Sequence, residues 1–128
     1  MATQTAAKTQ SNIGITEVVL PGDEESLGLI LPMLAHLSRT CTDRWFTWIA
    51  PKGVHREMLV DYGFDLSKLR LVHVKNAEEA LWVCWDALVA GNSQTVVASP
   101  GRLSEKTIRA LECAALRGNS QGLLIRYR

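Results

Sequence analysis

Residues 44–51, RWFTWIAP, have the composition of a β-strand that is buried on both faces. Successive side chains of a strand point to opposite faces of its sheet. Both faces of this stretch are apolar or bulky, one carrying Trp45, Thr47 and Ile49 and the other carrying Phe46, Trp48 and Ala50. Because such near-continuous apolar runs are typical of parallel sheets, we predict a central strand here, with Trp48, Trp45 and Phe46 in the core.

The segments around this strand alternate between strand-like and helix-like patterns. Further strands are predicted at 15–20, 69–75, 93–99 and 122–127. Helices are predicted at 27–38, 55–62 and 77–90, and a fourth is predicted to begin after Ser104 and to be stopped by Gly118. Pro32 should mark the start of the first helix or kink it, whereas Asn76 and Ser104 should cap the third and fourth. This alternation predicts an α/β fold, with a mainly parallel sheet flanked by helices on both faces.

Length and composition indicate one domain preceded by a short arm. The chain has 128 residues, of which 47% are apolar and 21% are charged, and this is enough material for one core. Residues 1–13 are small and polar. We therefore predict a flexible N-terminal arm over 1–13 and a single α/β domain over 14–128.

The charge balance and the cysteines exclude several classes of partner. A net charge of +1 gives no basic stripe of the kind that binds nucleic acid or an anionic membrane surface. No apolar run approaches the ~20 residues that span a bilayer, and the N-terminus lacks the apolar segment of a signal peptide. The three cysteines, Cys41, Cys84 and Cys113, are far apart and form no CxxC pair. We predict a cytoplasmic protein with reduced thiols and without a metal, nucleic-acid or membrane partner.

The tetrapeptide GNSQ occurs twice, at 91–94 and at 118–121. Each copy lies where a predicted helix ends and a predicted strand begins. Glycine readily adopts the left-handed conformation that ends a helix, and Asn or Ser can bond the freed backbone groups. We interpret the repeat as an αβ loop that is used twice, rather than as two ligand sites.

An α/β sheet invites a search for nucleotide and catalytic sites, and the sequence offers neither. The phosphate-binding pattern GxxxxGK[ST] and the fingerprint GxGxxG are both missing. The turn after the first predicted strand, PGDEES at 21–26, carries three carboxylates that would repel a phosphate. No histidine has a local Ser, Cys or Asp partner in a recognised arrangement, although His73 with Cys84 or Ser99 stays open as an enzymatic alternative. We predict no cofactor and no catalytic activity.

The predicted helix 77–90 carries an exposed aromatic side chain. Trp82 falls on the side opposite the apolar face, level with Glu78 and Asp86. Exposed aromatic residues are enriched in binding hot spots. We predict a second interface around Trp82, the alternative being that a neighbouring loop covers this side chain.

The predicted helix 55–62 has a similar mixed character. Leu59 and Tyr62 are placed toward the core, and four residues form a collar around them: His55, Arg56, Met58 and Phe64. Met and Arg are residue types that interfaces favour. An ordinary amphipathic helix is the alternative interpretation.

The pattern R-W-x-x-W-[IL]-x-P, present here as RWFTWIAP, resembles the SulA family of bacterial cell-division inhibitors. Other segments agree with that family in order along the chain, namely ITEVVL, LILPMLAHL, HREM, GN before TVVA, and RGNSQGLLIR. Each segment alone is weakly specific, whereas the ordered set is specific. The resemblance covers residues 15–127.

The resemblance implies a RecA-like core that lacks a phosphate loop, which agrees with the missing pattern. It implies no catalysis. Members of the family are made in the SOS response to DNA damage and bind the tubulin-like GTPase FtsZ. They are thought to occupy its longitudinal assembly surface, so that polymerisation and septum formation stop, and Lon protease removes them. We therefore expect FtsZ and Lon as partners and stoichiometric sequestration as the mechanism.

The resemblance also implies which residues bind the partner. Carried over by position, Arg44 and Lys68 meet acidic groups, and Met58 and Ile49 supply apolar area. Ile49 alternatively acts by holding the strand, and Met58 stands where family members can carry tryptophan. With the loop after the strand and the helix collar, the predicted partner-binding set is Arg44, Ile49, Lys52, Arg56, Met58, Phe64 and Lys68.

Three points stay open from the sequence. The chain ends at Arg128, short of the C-terminal tail that relatives use for proteolysis, so either its degradation differs or the sequence is short. The alternative function, from a different class, is a degenerate RecA-like module that binds nucleotide or a recombination partner. Homodimerisation through Trp82 is the third.

Overall fold

The computed structural model describes residues 13–22, 24–50 and 54–127. Within these residues the chain forms five strands, β1 (Gly14–Leu20), β2 (Trp45–Ala50), β3 (Leu69–His73), β4 (Ser93–Ala98) and β5 (Gln121–Tyr127). Four α-helices lie between them, α1 (Leu31–Thr40), α2 (Arg56–Asp61), α3 (Ala77–Ala90) and α4 (Glu105–Gly118). A 3₁₀ helix, Glu24–Leu29, precedes α1. Apart from Ile13, the predicted N-terminal arm lies outside the described residues.

The five strands form one sheet in the order β1-β5-β4-β2-β3. Every pairing between the described strands is parallel. The stretch RWFTWIAP supplies β2, which pairs with β4 on one side and β3 on the other, as predicted for an interior strand. The predicted α/β class is confirmed, and the described sheet is wholly rather than mainly parallel. The RecA-like part of that expectation stays a prediction.

Helices cover both faces of the sheet, and each face has its own core. Phe46 and Trp48 are fully buried on the face covered by α1 and α2. Ile49 is buried on the opposite face, beneath α3 and α4. The two-faced burial follows from the alternation of side chains along β2, because both faces of this strand are apolar.

The prediction that Trp45 lies in the core is wrong, since 40% of its surface is exposed. Trp45 is the first residue of β2, and the pairing of β2 with β4 shifts between Trp45 and Phe46. The side chain stays on the face of Thr47, to which Arg70 is paired and hydrogen-bonded. It lies under the Arg70 guanidinium, whose central carbon is 5.8 Å from the ring centroid.

Three of the helices begin at the residues that the sequence predicted as helix starts or caps. Pro32 lies in the first turn of α1, where a missing N–H is tolerated, so it marks the helix start and produces no kink. The predicted first helix therefore divides into the 3₁₀ helix and α1. Asn76 caps α3 by accepting from the Glu79 backbone N–H at 2.8 Å, and Ser104 caps α4 through the Thr107 N–H at 3.2 Å.

The two GNSQ copies end their helices in different ways. In the first copy Gly91 takes the left-handed conformation, with φ 78°. In the second copy this role falls to Asn119, with φ 54°, while Gly118 is still helical, so our expectation of a left-handed glycine there is corrected. Gly118 is needed for close packing, because a Cβ at this position would lie 1.7 Å from the Leu88 carbonyl oxygen. The C-terminal ends of α3 and α4 therefore touch through backbone.

Candidate protein-binding site

The structure divides the predicted partner-binding residues between two edges of the sheet. We call the edge at which β2, β3, β4 and β5 begin the amino edge, and the opposite one the carboxyl edge. Arg44 precedes β2 and Lys68 precedes β3, so both lie at the amino edge. Arg56 begins α2, after the end of β2, and belongs to the carboxyl edge. Six strand residues separate the two edges, which is about 17 Å, and Lys52 lies outside the described residues.

Arg44 is half-buried where the C-terminal ends of α3 and α4 meet. Its Nη1 donates to the carbonyl oxygens of Gly118 at 3.3 Å and of Gly91 at 3.5 Å. The C-terminus of a helix carries a partial negative charge, so a cation is favoured at this position. Arg44 is therefore oriented by the backbone of both GNSQ copies, while the remaining guanidinium N–H groups are available to other acceptors.

The Lys68 side chain is hydrogen-bonded to the loop that precedes Arg44. Its Nζ donates to the Thr42 carbonyl oxygen at 2.7 Å. Burial raises the pKa of the nearby Cys41 thiol above its ordinary value, the positive charges of Arg44 and Lys68 act in the opposite direction, and the Asp65 carboxylate adds to the increase. The structure therefore places Arg44 and Lys68 near the same buried thiol, and their contact with a partner stays a prediction.

Arg70 is a third cation at this edge, and the sequence analysis missed it. Its side chain donates to the hydroxyl oxygens of Thr47 at 3.3 Å and Ser93 at 3.2 Å and to the Asn92 carboxamide oxygen at 3.4 Å. The Thr47 and Ser93 hydroxyls are 2.7 Å apart and buried. The available signal was a single arginine inside an otherwise apolar predicted strand, LRLVHVK.

These three cations have no carboxylate partner among the described residues. The ion pair found there joins Arg126 and Glu17, at 3.8 Å, between β5 and β1. Asp65, which lies in the loop before β3, accepts from the Ser67 N–H and hydroxyl instead. Cations without a direct ion pair in this part of the chain suit an acidic surface on another protein.

Two predicted contact residues are buried, so the prediction that their side chains touch a partner is corrected. Ile49 is 2% exposed and Phe64 is 6% exposed. The Phe64 ring stacks on Trp48, with ring centroids 5.9 Å apart and planes inclined by 16°. Both side chains are apolar and are buried in the cores on the two faces of the sheet, Phe64 on the α1 and α2 side and Ile49 on the α3 and α4 side. They act by holding β2 and the segment after α2 in place.

The outer face of α2 carries the rest of the predicted set. Arg56 is exposed, and Met58 is half-buried against the core on the α2 side of the sheet. Val60 and Tyr62 are exposed apolar neighbours, so the placement of Tyr62 toward the core was wrong. The helix has only six residues, and Val60 and Tyr62 give its outer face exposed apolar surface.

Trp82 is 63% exposed on α3, in agreement with the predicted exposure. It borders an apolar groove of about 460 Å³ between α3 and α4, lined also by Leu81, Trp85, Lys106, Thr107 and Ala110. The groove lies on the face of the molecule opposite α2. A second interface at this position stays a prediction.

The alternative catalytic residues are placed in ordinary structural roles. The His73 ring Nε2 lies 3.4 Å from the Val54 carbonyl oxygen. Burial raises the pKa of the Cys84 thiol to about 12, so the thiol stays protonated and is a poor nucleophile at neutral pH. Across the described part of the chain, no group of three or more His, Cys, Asp or Glu residues is arranged to hold a metal ion. None of the described helices is long and apolar enough to cross a bilayer.

Comparison with known proteins gives one consistent family. The family profile described as "Cell division inhibitor SulA" matches residues 14–122. Cell division inhibitor SulA of Pseudomonas aeruginosa is 36% identical over 108 residues, covering 84% of this chain and 66% of that protein. The corresponding protein of Cronobacter sakazakii is 31% identical over 116 residues, covering 88% of this chain and 68% of that protein. That of Photorhabdus laumondii is 28% identical over 99 residues, covering 77% and 55%.

The chain therefore spans between 55% and 68% of the length of these curated relatives. A solved structure is also similar, the crystal structure of SulA from Pseudomonas aeruginosa. It matches with a TM-score of 0.81 at 32% sequence identity, covering 89% of this chain and 98% of that chain. The similarity extends over both fold and sequence.

Proposed function

The chain belongs to the SulA family of cell-division inhibitors, and from this premise we propose that it stops division by binding the tubulin-like GTPase FtsZ. The contact is made at the longitudinal assembly surface of FtsZ. Each bound molecule masks one subunit, so the pool of subunits able to polymerise falls in proportion to the amount of inhibitor. No bond is made or broken, and the protein acts stoichiometrically without turnover.

The observation that carries this proposal is the cluster of unpaired cations at the amino edge. Arg44, Lys68 and Arg70 present positive charge there, while the net charge of the whole chain is only +1. A local patch of one sign accelerates and orients the approach of a partner of opposite sign. The patch therefore favours an acidic protein surface, whereas the near-neutral total disfavours nonspecific binding to nucleic acid.

We assign the apolar contact area to the outer face of α2, the helix that leads from the carboxyl edge toward β3. Met58, Val60 and Tyr62 provide half-buried or exposed apolar atoms there, and Arg56 provides a peripheral charge. Buried apolar contacts supply most of the affinity of an interface, whereas charges at its rim mainly set the rate and orientation of binding. Lys52 remains a proposed contributor from the loop between β2 and α2.

The inhibition follows from steric exclusion rather than from an effect on the partner's nucleotide. FtsZ hydrolyses GTP when subunits assemble, so sequestration lowers hydrolysis indirectly. We further propose that the protein acts in the cytoplasm during the SOS response and that Lon protease ends the arrest by degrading it. Self-association through Trp82 is compatible with this mechanism, because the groove at Trp82 lies on the opposite face from α2.

Sedimentation of FtsZ with GTP, against increasing amounts of this protein, tests the proposal. We expect pelleted FtsZ to fall steadily and to reach its minimum near one inhibitor per subunit. Unchanged pelleting at a clear molar excess would contradict the proposed function. Binding of labelled ATP separates it from the degenerate RecA-like alternative, since sequestration requires no nucleotide on the inhibitor.

A further inference from the structure

A small cavity opens at the amino edge beside Arg44, with Ile13 and Leu37 on its apolar side. Its volume is about 250 Å³, several times the ~30 Å³ that one water molecule occupies in the liquid. Its polar lining consists of Thr40, Arg44, Gln94, Thr95, Asn119 and Gln121. The cavity is smaller than the roughly 300–1,000 Å³ of pockets that hold organic cofactors, so it suits a single side chain or a small ion.

Both copies of the GNSQ repeat contribute to this one cavity. Gln94 and Gln121 are the last residues of the two copies. Their strands, β4 and β5, are neighbours in the sheet, and both side chains line the cavity. Arg44 donates to backbone carbonyls of both copies. The repeat therefore does more than end two helices, because it assembles one site from two loops.

The two glutamines that line the cavity keep hydrogen-bond donors that no other group in the described part of the chain uses. The Gln121 carboxamide oxygen accepts from the Thr95 hydroxyl at 3.4 Å, which leaves its NH₂ group as a donor. Gln94 uses one N–H on the Thr40 carbonyl oxygen at 3.5 Å and keeps the other. Among the described residues that line the cavity, none is a carboxylate. One guanidinium and two amide NH₂ groups facing a common space suit an anionic acceptor, and charge-assisted bonds of this kind are strong.

We propose that this cavity is a carboxylate-binding pocket that receives an Asp or Glu side chain of a partner protein. The size of the cavity favours a side chain over an organic metabolite. The inference rests on the proposed function only for the source of the carboxylate, since the donor set is a property of this chain. It assigns to Gln94 and Gln121 a binding role that complements the charge of Arg44.

Titration of the ¹⁵N-labelled full chain with two capped amino acids tests the pocket. N-acetyl-aspartate N-methylamide carries the carboxylate, and N-acetyl-asparagine N-methylamide is its neutral isostere. We expect the aspartate compound alone to shift the side-chain NH₂ signals of Gln94 and Gln121 and the Nε–H signal of Arg44, with saturation. Equal shifts with both compounds, or none with either, would overturn the proposal.

Introducing a negative charge into the cavity provides the second measurement. Gln121→Glu places a carboxylate beside Arg44, and we expect it to weaken binding of the aspartate compound at least about tenfold. Ala77→Glu adds the same charge at the carboxyl edge and should leave this binding unchanged. If Gln121→Glu loses the dispersed spectrum of a folded protein, Gln94→Glu makes the same test from the other loop. Wild-type binding by a folded glutamate variant would contradict the pocket.

FtsZ sedimentation separates failure of this pocket from failure of the proposed function. We expect Gln121→Glu, but not Ala77→Glu, to require about tenfold more protein for inhibition. If the aspartate compound shifts nothing while the wild type still blocks assembly, the pocket is refuted and the proposed function survives. If the compound binds but the wild type does not block assembly, the proposed function fails and the pocket binds free carboxylates.

Discussion

The two edges of the sheet differ in a way that is unusual for a parallel α/β protein. Ligands of open α/β sheets generally bind outside the carboxyl ends of the strands. Here the carboxyl edge shows His73 bonded to a backbone carbonyl, and no recognised phosphate loop follows the first strand. The amino edge holds Arg44, Lys68 and Arg70 without carboxylate partners among the described residues. The sheet is parallel like those of nucleotide-binding proteins, but the three cations that form no ion pair within the described chain lie at the opposite edge.

The difference suggests how an α/β sheet can serve protein binding. At the amino edge the C-terminal ends of α3 and α4 point toward Arg44, and their partial negative charge stabilises a cation that also faces solvent. At the carboxyl edge the same helices begin, and their N-terminal ends favour anions. A partner with an acidic surface is therefore attracted to the amino edge by side chains that the helix ends hold in place.

The largest expected effect is on the stability of β2, the strand that runs between the two edges. Trp48→Ala removes a fully buried ring in the middle of β2, and we expect a loss of about 3–5 kcal/mol in the free energy of unfolding. Trp45→Ala is the matched control, because this ring is 40% exposed, and its loss should stay near 1 kcal/mol. Urea unfolding monitored by circular dichroism measures both, and equal losses would contradict the different burial of the two rings.

A smaller effect is expected from separating the helix ends that orient Arg44. Gly118→Ala places a Cβ 1.7 Å from the Leu88 carbonyl oxygen, so α3 and α4 must move apart, at a cost of about 1–3 kcal/mol. We expect inhibition of FtsZ assembly to weaken as well. In Gly28→Ala the added Cβ meets nothing within 4 Å, and this control should behave as the wild type.

The dependence of FtsZ binding on ionic strength should show whether the cations of the amino edge guide the encounter or whether binding is mainly apolar. Raising the salt concentration from about 0.05 M to about 0.5 M shortens the screening length severalfold. We expect the association rate constant with FtsZ to fall about tenfold, while the dissociation rate constant changes little. Stopped-flow binding measures both constants. A rate of association that is insensitive to salt would mean that the cations of the amino edge do not guide the encounter.

The smallest expected effect separates positioning from contact at Arg70. Arg70 holds Thr47, Ser93 and Asn92 together through a planar fork of donors, and lysine cannot reproduce that geometry. We expect Arg70→Lys to reduce stability by about 1 kcal/mol and to reduce affinity for FtsZ no more than about threefold. A larger loss of affinity without a loss of stability would show that Arg70 contacts the partner directly.

The sequence was sufficient for the α/β class and for the order of strands and helices along the chain, whereas the predicted binding residues stay a prediction. Apolar runs and capping residues such as Asn76 act locally, so they predicted the strands, the helices and their starts. The position of Arg44 next to both GNSQ copies depends on strand order, which brings residues far apart in sequence to one edge. The exposure of Trp45, at the start of β2 where the pairing with β4 shifts, depends on how far the neighbouring elements extend, and alternation along one strand does not specify this.

The most direct test of the account compares one arginine at each edge. The dissociation constant for FtsZ is measured for Arg44→Ala and Arg56→Ala, each first shown to be folded by circular dichroism. We expect Arg44→Ala to bind at least about tenfold more weakly, the equivalent of one charge-assisted hydrogen bond. Arg56→Ala removes only a peripheral charge, so its affinity should change by no more than about threefold. Wild-type affinity in folded Arg44→Ala, or a greater loss in Arg56→Ala, would contradict the assignment of the amino edge as the binding site.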